Sequence, residues 1–362
     1  MTNTAKEIIL PHDATIFRTI FLYVGQGDAT LMVVPDGGGQ RYILMDSNVD
    51  AATGGIDLAE LLGDLLDEGE TLDVFINTHP HTDHVRGIKA IHEKVTIGEV
   101  LHSAHVPSKN HEDAYKELKE VMDAVGSDNV YELRGTRSEN MLDRGEKSIE
   151  HKIGDVNYNV LSPAQHVKDD VEGEDAETRY SRIHEQCGVI RFTYGSTVVG
   201  ILHTGDSDRK AWDDNGLTRY HQDRLPSAVI GASHHGSRTF FKYEEADDTP
   251  YTEHIKTISP EYLIISSPKQ SESKHDHPHD DALELYGEFV DKANILHLGK
   301  NRECVIVDIS PDGGVDVTTD RKLVETYGRN PNGDDKSGGR NASESYAGIP
   351  LTRLDDKPMG GR

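Results

Sequence analysis

Three imidazoles and a carboxylate fall within six residues at His79-Pro80-His81-Thr82-Asp83-His84, a run that reads H-x-H-x-D-H. Imidazole nitrogens and carboxylate oxygens are donors for a hydrolytic metal centre. At the end of a strand, side chains at i and i+2 point the same way, so His79 and His81 can share one ion. Once the chain turns into a helix, Asp83 and His84 project elsewhere and can hold a second. Ile201-Leu202-His203-Thr204-Gly205-Asp206 sets a carboxylate just beyond a strand, where it could bridge two cations. Ala232-Ser233-His234-His235-Gly236-Ser237 adds another histidine pair in a turn after a strand. With 20 histidines in the chain, a His-rich surface turn competes as a reading of the hexapeptide alone; the later motifs argue against it.

The elements that must hold these groups read as an α/β pattern. Leu72 to Thr78 is an apolar run that predicts a buried strand, and Val85 to His92 has the spacing of a helix start. Earlier strands are predicted at Phe17–Val24, Ala29–Val34 and Arg41–Asp46, with a helix over Asp57–Leu66 carrying a leucine stripe. The signal weakens from about Ser103 to Gly173. A helix over His111–Val125 and strands near Asn129–Leu133 and Asn157–Ser162 are expected there, and the acidic stretch Lys168–Thr178 reads as a solvated loop. Strands follow at Gly188–Tyr194, Ser196–His203, Ala228–Ile230, Glu261–Ile265, Asn294–His297 and Cys304–Ile309, with helices over Thr218–Arg224 and Asp280–Val290. Residues 1–16 read as an extension, 17–325 as one domain with an insertion at about 104–185, and 326–362 as a disordered polar tail.

Composition narrows the partners. The formal net charge is −26, from 64 acidic and 38 basic side chains over 362 residues. Such a surface favours solubility and argues against passive adhesion to nucleic acid or anionic membrane; bound divalent ions would still invert the field locally for a phosphodiester. A saline habitat is an equal explanation of the charge. Cys187 and Cys304 stand far apart and suggest no disulfide framework or thiolate site. The first residues lack a signal sequence, and no apolar run reaches membrane-spanning length, so a cytoplasmic location is expected.

Val24-Gly25-Gln26-Gly27-Asp28-Ala29, His79 to His84, Thr204-Gly205-Asp206 and His234-His235-Gly236-Ser237, with His277-Pro278-His279 further on, together make the chain resemble the metallo-β-lactamase superfamily. The particular likeness is to the branch related to the hydrolase domain of ComEC/Rec2 competence proteins. The resemblance implies an αββα four-layer sandwich with the metal site at one edge. It implies that His79 and His81 bind one ion, that Asp83, His84 and His235 bind the other, and that Asp206 bridges them. Asp46, otherwise an ordinary strand-end residue, would orient a ligand histidine by hydrogen bonding. Two divalent ions are expected, zinc first by donor type and family habit, with manganese the alternative.

Two ions held about 3.5 Å apart would generate a bridging hydroxide at neutral pH. Asp83, His234 and His279 are assigned to the chemical step, the two histidines as proton donors to the leaving oxygen. Ser237, Arg238 and Lys269 are the candidates for gripping the substrate. His203 reads as a packed core histidine, and His102 and His105 as alternative occupants of a vacancy at the first ion. The expected function is a phosphodiesterase or nuclease acting on nucleic acid or a small phosphoester. A carbonyl-ester hydrolase (lactone, thioester or β-lactam) and a non-catalytic interaction module on the same fold are the alternatives, the last with an unspecified protein partner.

Overall fold

A computed structural model describes residues 3–135, 151–172, 174–195 and 199–329. The first six strands are β1 (Phe17–Phe21), β2 (Thr30–Asp36), β3 (Gly39–Met45), β4 (Thr71–Asn77), β5 (Thr96–His102) and β6 (Val130–Glu132). Next come β7 (His151–Ile153), β8 (Val156–Ser162), β9 (Val189–Tyr194), β10 (Val199–His203), β11 (Val229–Gly231), β12 (Tyr262–Ile265) and β13 (Ile295–His297). The last pair is β14 (Cys304–Ile309) and β15 (Val315–Asp320). One eight-stranded sheet runs β15-β14-β1-β2-β3-β4-β5-β6, and one seven-stranded sheet runs β13-β12-β11-β10-β9-β8-β7.

Strand alternation explains the layering. In β1 and its extension Phe17, Phe21 and Tyr23 face one side, and Ile20, Leu22 and Val24 the other. The first set joins Ile43 and Ile76 against Phe192, Ile201, Val229 and Ile264 of the second sheet, forming the interior between the sheets. The second set packs beneath helices through Leu58, Leu61, Leu62, Ile88, Ile91 and Leu118. On the outer face of the second sheet, Leu202, Ile230 and Leu263 bury Trp212, Phe240, Phe241 and Tyr286. Two sheets face to face, with helices on both outer faces, make the four-layer α-β-β-α sandwich; each fully buried large side chain contributes about 1.5–3 kcal/mol.

Several elements depart from the sequence reading. The predicted acidic loop at 168–178 is instead helical at Gln165–Glu172 and Ala176–Ser181. Val167 and Val171, one turn apart, are buried, and Asp175 caps the second helix by accepting from the Glu177 and Thr178 amides; a charge count misses both signals. The helix expected from Val85 splits into Thr82–Val85 and Ile88–Lys94, because Gly87 adopts φ +86° between them. Within the expected extension, Thr4–Ile9 is a helix that buries Ala5, Ile8 and Ile9. At the other end the helix Lys322–Tyr327 buries Leu323, and Arg329 pairs with Asp57 at 2.5 Å. The expected tail from 330 onward, residues 196–198 of an expected strand, and 136–150 and 173 of the insertion lie outside the described residues.

β3 and β4 run parallel in the first sheet, and β10, β11 and β12 run parallel in the second. Contacts among the turns after these strands show that their C-terminal ends open on one shared edge, where Asp46, His79, Asp206, His235 and Ser266 meet.

Candidate metal centre

β4 ends at Asn77, whose side-chain amide donates to the carbonyls of His79 at 2.8 Å and His84 at 3.2 Å. This staple holds both ends of the hexapeptide while His79 and His84 turn their rings into the seam between the sheets. The turn after β10 is equally constrained. Gly205 has φ +49°, and a Cβ there would lie 2.5 Å from Cys187 Sγ, so glycine alone fits. The next amide, of Asp206, donates to that same Sγ at 3.1 Å. After β11, His234 and His235 both adopt left-handed backbone (φ 50° and 55°), an uncommon conformation for two consecutive side-chain-bearing residues; the His235 ring enters the cluster and the His234 ring borders it.

Asp206 stands at the centre, with its two oxygens facing different histidines. Oδ2 lies 3.5 Å from His79 Nε2 and 4.0 Å from His184 Nε2. Oδ1 lies 3.1 Å from His84 Nε2 and 3.7 Å from His235 Nε2. Two groups that could hold cations result: His79, His81, His184 and Asp206, and His84, His235, Asp206 and Asp28. Asp83 Oδ2 is 3.4 Å from His235 Nε2, on the same side as Asp206. Asp28 instead approaches the opposite nitrogens, 3.9 Å from His84 Nδ1 and 3.7 Å from His235 Nδ1. On that geometry Asp83 suits the second group as a donor, and Asp28 braces its rings from behind.

The outward-facing nitrogens are engaged, which aims the others. His235 Nδ1 donates to the Ser266 carbonyl at 2.9 Å, which turns its Nε2 toward the cluster. His84 Nδ1 lies 2.8 Å from Asp46 Oδ2. Thr78 Oγ1 donates to the same carboxylate at 2.6 Å and lies 3.2 Å from His79 Nδ1, extending the relay to a second ring. By contrast, the Nε2 atoms of His79, His81, His84, His184 and His235, and Oδ1 of Asp206, are buried without hydrogen-bond partners. Leaving one such group unsatisfied costs about 1–3 kcal/mol. Six gathered in two adjoining groups that share Asp206 fit cation sites, because divalent ions are bound by neutral imidazole and carboxylate donors.

Charge states in the bare cluster follow from burial and neighbours. Burial, then the adjacent His84, push His79 down to about 3, so its ring is neutral and ready to donate a lone pair. Burial and His79 likewise depress His81. For His84 and His235 burial also opposes charge, yet the carboxylates outweigh it, chiefly Asp206, and hold both well above the ordinary imidazole value. A cation entering there displaces those protons.

The remaining predicted residues are placed unevenly. His234 Nε2 lies 3.6 Å from Asp206 Oδ2 and its ring 5.2 Å from His277, so it borders the cluster. His279 sits 4.8 Å beyond His277, with Nδ1 accepting from the Arg238 amide. Burial, followed by Arg238, lowers its pKa, which disfavours the imidazolium expected from sequence. The Arg238 guanidinium is held by Asp281 and Glu245, and Ser237 Oγ caps the turn at Thr239. Lys269 is exposed and, among the described residues, its ammonium has no partner. None of these three joins the donor cluster. His203 is packed in the interior, stacked on Phe21. Sequence reasoning missed His184, which takes the place that His102 and His105 were weighed for. Its one signal is position: it stands just ahead of β9, at the edge where the other donors emerge.

A family model described as the metallo-beta-lactamase superfamily matches residues 22–208. Among solved structures, the metallo hydrolase Igni18 from Ignicoccus hospitalis is 12% identical with a TM-score of 0.41, covering 83% of this chain and 98% of that one. A motif-variant metallo-beta-lactamase from Cronobacter sakazakii is 12% identical with a TM-score of 0.29, over 57% of this chain and 74% of that one. A superfamily protein from Sulfolobus tokodaii is 17% identical with a TM-score of 0.26, over 52% and 62% respectively. A search of curated proteins finds no match.

Proposed function

The chain belongs to the metallo-beta-lactamase superfamily, and from that premise we propose that it is a binuclear metal-dependent hydrolase of phosphodiesters. The observation that carries the reading is the gathering of five unpartnered imidazole nitrogens and one carboxylate oxygen in two buried groups that share Asp206. His79, His81 and His184 would hold one ion, His84, Asp83 and His235 the other, and Asp206 would reach both. Zinc suits these donors, with manganese the alternative. Such ions supply an activated nucleophile from water near neutral pH and neutralise charge on the attacked centre.

The chain's own residues supply the rest. Asp46, Thr78 and Ser266 fix the ring planes of His84, His79 and His235, so the donors need no rearrangement when the site fills. His279 accepts the Arg238 amide on Nδ1 and therefore carries its proton on Nε2, a neutral donor suited to a non-bridging or leaving oxygen. His234, bordering Asp206, is the second candidate for that donation. A phosphodiester is favoured over a carbonyl substrate by the His234-His235-Gly236-Ser237 turn and the likeness to the ComEC/Rec2 branch. The net charge of −26 favours a small or terminally bound phosphodiester over a long duplex.

Rates on bis(p-nitrophenyl) phosphate, nitrocefin and a simple lactone, each with zinc or manganese, test the reading. Metal-dependent turnover of the phosphodiester is expected. Turnover of nitrocefin or the lactone alone would transfer the site to carbonyl chemistry, and metal binding without turnover would favour an interaction module. No helix among the described residues is long and apolar enough to cross a membrane.

A further inference from the structure

The short helix Thr82–Val85 carries Asp83 and His84, yet its N-cap residue is His81, which makes no side-chain capping bond. A helix start leaves its first amides without partners, and a capping side chain normally satisfies one. His81 cannot do so while its ring faces the cluster. The partner comes instead from 29 residues away: His111 Nδ1 accepts the Thr82 amide at 3.0 Å and lies 2.9 Å from Thr82 Oγ1. The same ring stacks on His81, with centroids 4.2 Å apart and planes 19° apart. His111 is itself held firmly, directly before the helix Glu112–Val125, whose Ala114, Leu118 and Val121 share a core with Val85, Ile88 and Ile91.

We propose that His111 is a positioning residue for the metal centre: it satisfies the first free amide of the metal-binding turn, that of Thr82, and sets the His81 ring plane by stacking. Because Nδ1 accepts an amide proton, the ring is the neutral Nε2–H form. The division of labour is physical. One histidine of the stacked pair turns to the cluster as a donor, and the other anchors the start of the helix through the Thr82 amide.

This inference rests on the metal-binding reading of the cluster, and the test separates the two. Full-length protein and the variants His111→Ala, His111→Asn and His111→Phe are freed of metal. Each is titrated with Co2+ by visible absorption, while amide hydrogen exchange over residues 81–86 is measured in the metal-free state. His111→Ala should weaken one Co2+ step by about 10- to 100-fold, speed exchange over 81–86, and lower kcat on bis(p-nitrophenyl) phosphate with KM unchanged. His111→Asn keeps an acceptor and should recover the exchange protection, whereas His111→Phe keeps the stack alone and should not. Should the alanine protein fail to fold, the Asn and Phe pair carries the comparison. Wild-type exchange and Co2+ affinity in His111→Ala, or equal damage from Asn and Phe, would overturn the proposal. A wild-type chain that takes up no Co2+ would overturn the metal reading, and the exchange comparison would still decide the cap.

Discussion

The carboxylate of Asp46 lies 2.8 Å from Nδ1 of His84 and, through Thr78 Oγ1, also supports the ring of His79. One buried side chain therefore orients rings that belong to different donor groups. Asp46→Asn keeps the shape but not the charge, and the expected result is a loss of about 10- to 100-fold in metal affinity and kcat. Metal analysis after dialysis, together with phosphodiesterase rates, measures this; an unchanged metal content would remove Asp46 from the machinery.

Among the described residues, Asp206 is the one whose two oxygens face both groups. Asp206→Ala should abolish turnover and disturb binding of both ions, whereas His184→Ala should weaken only the ion beside His79 and His81. Stoichiometry by elemental analysis and Co2+ titration distinguishes them. Identical metal profiles for the two variants would contradict the assignment of separate groups.

Metal should also stabilise the fold, because the donors come from both sheets. At a free metal concentration 100 times the dissociation constant the folded state gains about 2.7 kcal/mol, which raises Tm by roughly 3–5 °C in a chain of this length. Thermal unfolding with and without a chelator tests the claim. An unmoved midpoint would mean that the cluster does not bind a cation tightly in the folded state.

Far from the cluster, His254 is fully buried, donates from Nε2 to the Phe240 carbonyl at 2.9 Å, and accepts the Ile255 amide on Nδ1 at 2.8 Å. Burial, opposed only in part by the Phe240 bond, depresses its pKa to about 3. Its folded value lies below the unfolded one, so its contribution to stability is complete above about pH 6.5 and is lost as pH falls towards 3. In chelator, the stability difference between wild type and His254→Phe should change by about 1.4 kcal/mol per pH unit below pH 6. Urea titrations at pH 7, 6 and 5 give the slope; parallel curves would refute it.

How far the sequence could be read depended on how local each signal was. His79 to His84 was legible because one strand end and one helix start place four donors within six residues. Asp206 and His235 were legible because each follows a clear apolar strand. His184 was not, since it stands alone after an acidic stretch whose helices rest on two buried valines and one aspartate cap. Asp28 was visible within its glycine-rich turn, but its place behind His84 and His235 depends on packing between the sheets. Arg238 follows the histidine turn directly, and only the fold reveals that Asp281 and Glu245 occupy its guanidinium. The 29-residue reach from Thr82 to His111 has no sequence signature at all.

The split of donors between the sheets has a consequence for the chain during synthesis. A segment ending before residue 184 would already carry His79, His81 and His84, yet would lack His184, Asp206 and His235. Such a fragment has imidazoles but no carboxylate to join the two groups. Both donor groups therefore wait on synthesis of the second sheet, and a product truncated before residue 184 completes neither.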